Sequence, residues 1–68
     1  MILELNILKT LNPDKICTAE EIAESLNASI EDVQKILEIL LLKGLIKLRT
    51  IAGHYELTIY GRQQLIFI

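Results

Sequence analysis

Tryptophan is absent, and one phenylalanine and two tyrosines bring the aromatic content to 4%. So few rings disfavour binding of single-stranded nucleic acid, which relies on aromatic platforms for base stacking. A single cysteine, Cys17, excludes an internal disulfide and fits a reducing compartment. With no second cysteine, and no histidine at metal-ligand spacing from it, a zinc site is not expected. There is one proline and there are three glycines, too few for a flexible linker or a low-complexity segment. No apolar run approaches the roughly 18 residues of a membrane span. The first residues lack the basic stretch and cleavage site of a signal peptide. A cytoplasmic location is expected.

What the chain has in excess is isoleucine and leucine, 25 of its 68 residues, within a hydrophobic fraction of 51%. That content suits one small domain, near the lower limit for a self-sufficient core. Together with abundant lysine and glutamate it also suggests a thermophile or an AT-rich genome. The net charge is −2, which does not favour a generic polyanion binder. Its distribution is uneven. Residues 1–38 carry eight acids against Lys9, Lys15 and Lys35, whereas residues 39–68 carry Lys43, Lys47, Arg49 and Arg62 against Glu56 alone.

The local signals follow one another in a clear order. A first helix is expected from about Ile2 to Leu11, ended by Asn12, Pro13 and Asp14. Thr18 and Glu21 have the spacing of a capping box, with Cys17 and Ile22 at the flanking staple positions. Ile22, Ala23 and Leu26 form the inward stripe of this second helix, and Asn27 and Ala28 turn the chain. Ser29 caps a third helix, with Asp32 three residues on. Val33, Ile36, Leu37 and Leu40 follow the i, i+3, i+4, i+7 pattern of a buried face. Gly44 stops it, preceded by Lys43. Two alternating stretches then predict a hairpin, Leu45 to Arg49 and His54 to Thr58, joined through Thr50, Ile51, Ala52 and Gly53. That register faces Leu48 with Tyr55 and Ile46 with Leu57 inward, and Lys47 with Glu56 outward. Thr58 then caps a last short helix running to about Phe67.

The fold class read from this order is mainly α with a small β-hairpin. Thr18 to Ala23, the Val33, Leu37 and Leu40 stripe, Lys43 to Ile46, and Tyr55, Leu57, Thr58, Gly61 and Arg62 together resemble the winged helix-turn-helix domains of small archaeal and bacterial regulators. The resemblance extends over most of the chain from Thr18 onward, with the helix-turn-helix at about 18–43 and the wing at about 45–58. It implies a regulator of transcription that binds double-stranded DNA, with the third helix in the major groove and the wing on the backbone. Carried over by position, the DNA-contacting residues are Ser29, Glu31, Gln34, Lys35, Lys43, Lys47, Arg49 and His54.

Two features depart from that pattern. The third helix presents Glu31, Asp32 and Glu38 to a polyanion against Lys35 alone. Positions before the glycine that are polar in typical copies are Ile39, Leu41 and Leu42 here. With Ile2, Leu5 and Phe67, the residues Ile39 and Leu42 mark a homodimer or partner interface. The alternative function is therefore a winged helix that docks protein inside a larger assembly without touching DNA. No cofactor is expected. No carboxylate pair lies beside a nucleophile, and no catalytic residue is expected.

Overall fold

The computed structural model describes residues 2–12, 14–49 and 53–66. The elements run α1 (Ile2–Leu11), β1 (Cys17–Thr18), α2 (Ala19–Leu26), α3 (Ile30–Leu42), β2 (Ile46–Arg49), β3 (His54–Leu57) and α4 (Ile59–Ile66). The strands form an antiparallel sheet of order β1-β3-β2. The expected hairpin is present in its expected register: Ile46 faces Leu57, Lys47 faces Glu56 and Leu48 faces Tyr55. Strand β1 is an addition to the expected elements. It pairs Cys17 with Tyr55 and Thr18 with His54, which makes β3 the central strand. Two residues carry too little alternation to be recognised as a strand, and the capping signal at Thr18 dominates that stretch. The loop expected at Thr50 to Ala52 lies outside the described residues.

Both helix starts are capped as expected. Thr18 Oγ1 accepts from Glu21 N–H at 3.1 Å, and Thr18 N–H donates to Glu21 Oε1 at 2.9 Å. Ser29 Oγ accepts from Asp32 N–H at 3.2 Å. α2 ends on Asn27, which takes the left-handed conformation (φ 52°) that asparagine tolerates better than most residues. The following N–H, of Ala28, then reaches back to Ala23 O at 2.9 Å. α3 ends the same way on Gly44 at φ 74°. Gly44 N–H donates to Leu41 O at 3.1 Å and Leu45 N–H to Leu40 O at 3.0 Å, the two bonds of a Schellman stop.

One core unites these pieces. Ile7 and Leu11 of α1, Ile22 of α2, and Val33, Leu37 and Leu40 of α3 are fully buried, and Ile46 and Leu57 close it from the sheet. Each such side chain contributes about 1.5–3 kcal/mol by leaving water. Cys17, at the expected staple position, is half-buried against this core. Leu48 is a correction. It was expected to face inward but is 50% exposed. It lies on the edge strand β2, two residues beyond buried Ile46, where the hairpin has run past the helices. Its partner Tyr55 on the central strand keeps partial cover.

Gly61, inside α4, is buried, and a β-carbon there would collide with the Leu45 carbonyl. This architecture of helices and a three-stranded sheet is a winged helix-turn-helix.

Gly61→Ala is therefore expected to destabilise the protein, although alanine normally favours helix over glycine by about 1 kcal/mol. A net loss of about 1–3 kcal/mol would lower the Tm by several degrees. A melt in which the variant equals or exceeds the parent would show that α4 can move off Leu45.

Candidate nucleic-acid interface

An α-helix turns 100° per residue, so Glu31, Lys35, Glu38 and Leu42 fall on one line along α3. All four are exposed, as are Gln34 and Asp32 beside them. Leu42 is 89% exposed. The inner line (Val33, Ile36, Leu37, Leu40) is buried, so packing fixes the rotation of the helix and hence which side chains it offers. The sequence-predicted contacts Ser29, Glu31, Gln34 and Lys35 are brought together on the first turns. Ser29 already accepts the capping hydrogen bond there. Lys43 is not part of that cluster. It ends α3, about 20 Å along the axis from Ser29, and its Nζ lies 2.9 Å from Glu4 Oε1 of α1.

The hairpin carries the other cations. Strand alternation places Lys47 and Arg49 on the face away from Ile46, and both are exposed. Glu56 lies on the same face of β3, opposite Lys47 and diagonal to Arg49. Its carboxylate meets Arg49 Nη1 at 2.8 Å and Lys47 Nζ at 3.9 Å. The pair with Lys47 is legible from the register. The closer one, with Arg49, is a diagonal contact that pairing opposite residues misses. His54 is half-buried on the central strand, between Thr18 of β1 and Arg49 of β2.

A third feature lies away from these. A groove of about 620 Å³ runs between α1, the end of α3 and α4, lined by Glu4, Leu5, Leu8, Lys43, Leu45, Tyr60 and Gln64. Of the expected interface residues, Leu5 lines this groove, and Ile2 (79%) and Ile39 (41%) are exposed like Leu42. Phe67 lies outside the described residues. Ile59 and Tyr60 of α4 are exposed and carry no signal in the sequence that marks them as such. Apolar residues are spread around α4, so no stripe shows which of them face outward.

Burial and the Glu21 carboxylate push the Cys17 thiol up, outweighing Lys15, so it stays protonated at neutral pH. Among the described residues, no cluster of His, Cys, Asp or Glu could hold a metal ion. Nor is any helix among them long and apolar enough to cross a membrane.

Neither a family model nor a curated protein matches the sequence. Among solved structures, a protein of unknown function from Listeria innocua Clip11262 is similar, with a TM-score of 0.87 at 23% identity. The match covers 96% of this chain and 48% of that one, so this chain spans about half the length of that protein. At this identity the likeness shows the fold.

Two carboxyls have lowered pKa values, for different reasons. Glu21 is held down chiefly by its bond from the Thr18 backbone N–H, and Glu56 chiefly by its bond from Arg49. A lowered folded pKa adds stability above the unfolded value of about 4.3 and loses it as pH falls through the folded value. Tm should therefore drop on acidification from about pH 5 to pH 3. Glu21→Gln and Glu56→Gln should each flatten that drop. Parallel curves for parent and both variants would remove these carboxylates as its source.

Proposed function

We propose that this chain binds duplex DNA as a small transcriptional regulator, acting as a dimer, with α3 in the major groove and the hairpin on the backbone. The observation that carries this reading is the exposed, polar first half of α3, held rigidly by its buried face and packed beside β2. A rigid helix presenting polar side chains is what base-edge reading requires. Lys35 is the group able to reach guanine, Gln34 suits adenine, and Glu31 and Glu38 can accept from cytosine. Lys47 and Arg49 supply phosphate contacts. With so few cations per chain, a dimer doubling them is needed for useful affinity. The exposed Ile2, Ile39 and Leu42 supply apolar surface for such pairing.

A second reading, docking of protein on α3, is favoured by one observation. Leu42, 89% exposed, sits in line with Glu31 and Glu38 on the helix meant for a polyanion.

Polarisation titrations on duplexes separate the two. The parent should bind measurably at about 50 mM salt and lose affinity steeply by about 200 mM. Arg49→Ala should weaken all sequences alike and flatten the log-affinity against log-salt slope by about one unit for each phosphate no longer neutralised. Gln34→Ala should relax preference between sequences, and Glu31→Gln and Glu38→Gln should tighten nonspecific binding. Absence of affinity in the parent and in both acid-to-amide variants would sink the DNA reading and leave the docking one. In sedimentation, a chain that stays monomeric at micromolar concentration would remove the dimer.

A further inference from the structure

We propose that Glu56 is an intramolecular substitute for phosphate, occupying the wing cations until a duplex displaces it. The inference rests on the duplex-binding reading and adds a regulator of affinity to that site. Three facts about the hairpin support it. Glu56 is the sole acid of residues 39–68. It stands in the central strand on the face that carries Lys47 and Arg49. Its two oxygens divide between them: Oε2 takes Arg49 Nη1 at 2.8 Å, and Oε1 lies 3.9 Å from Lys47 Nζ.

The chemistry of the exchange is one anion for another. A guanidinium has five donors in a planar fork, and it receives carboxylate and phosphate oxygens with the same geometry. A phosphate arriving at Arg49 must therefore replace Glu56 or share the guanidinium with it. Sharing places two anions close together and costs Coulomb energy. The two cations remain more than half exposed while Glu56 is only 20% exposed, so the acid lies beneath them and leaves their outer donors open to an incoming anion. Exposed ion pairs are weak, and a backbone that also satisfies α3 can displace this one. Because the wing contacts phosphate whatever the bases, the cost of displacing Glu56 is the same for every duplex, and Glu56 thereby lowers affinity throughout, background binding on arbitrary sequence included.

The test is a double-mutant cycle read by polarisation on a short random-sequence duplex, with the full chain throughout. Glu56→Gln keeps the side chain's size and removes its charge, and Glu56→Thr, a strong strand former, is the second variant should glutamine disturb the hairpin. Each should bind about two- to fivefold tighter at about 50 mM salt, the range expected for releasing an exposed pair. The salt slope should steepen by up to about 0.9 for each cation freed. In an Arg49→Ala background the gain should fall by half or more, which a general change of net charge would not produce. Binding no tighter than the parent's in both variants, each folded by its melt at the assay temperature, would overturn the inference alone. An undiminished gain in the Arg49→Ala background would do the same. No affinity in the parent or either variant would take the duplex-binding reading with it.

Discussion

The carbonyl of Leu45 is the point on which the rest of this structure turns. The residue's own N–H completes the Schellman stop of α3 through Leu40 O at 3.0 Å, and its oxygen accepts from Thr58 N–H at 3.1 Å. Thr58 Oγ1 donates to Gly44 O at 2.7 Å and accepts from Gly61 N–H at 2.9 Å as the cap of α4. Gly61 meets the same carbonyl with bare backbone. Within a few residues the end of α3, the entry to β2, the exit from β3 and the start of α4 are tied into one corner. The left-handed turn at Gly44 permits it, because a side chain there would be strained at φ 74°. The hairpin's angle to α3 is set at this corner, and a β-hairpin without it would be marginally stable.

The same corner explains why the fold was legible. Gly44, Leu45, Thr58 and Gly61 occupy positions that read as separate weak signals, a helix stop, a strand start and a cap. Their spacing is demanding because they meet at one place. The helix caps and the buried stripe of α3 were legible for a simpler reason: each is a local pattern with one geometric solution. What escaped was non-local or too short. Strand β1 is two residues long and exists only because β3 offers it a free edge. Leu48 obeys strand alternation, but alternation names a face and cannot say where the core beneath that face ends. The exposed Ile59 and Tyr60 belong to a helix without a stripe, so no pattern assigned their sides.

Electrostatics divides the surface in a way that neither composition nor fold class conveys. Among the described residues, ion pairs join Lys43 to Glu4, Lys47 and Arg49 to Glu56, and Arg62 to Asp14. The basic half of the sequence is thus largely answered from within, partly by acids that lie far away along the chain. None of those acids lies on α3, where Glu31, Asp32 and Glu38 stand exposed around Lys35. Acids at the start of a helix are favourable for the helix itself, since they oppose its dipole and its unpaired N–H groups. Glu31 and Asp32 are explained by that local role. Glu38, beyond the first turn, is not.

Glu38 and Leu42 are therefore the residues by which a partner for α3 is best judged. Neither caps, and neither is buried. On a helix reading DNA, Glu38 must lie against a cytosine amino group to avoid repelling phosphate, while Leu42, about 20 Å along the helix from its base-reading end, is left to the dimer contact. Such a helix would reject most sites, and a feeble general affinity and a narrow choice of site would then be two aspects of the same surface. A protein partner on α3 would instead cover Leu42 directly and pair Glu38 with a cation at the rim. The two outcomes differ in the sign of the charge brought to Glu38, and the helix geometry serves either.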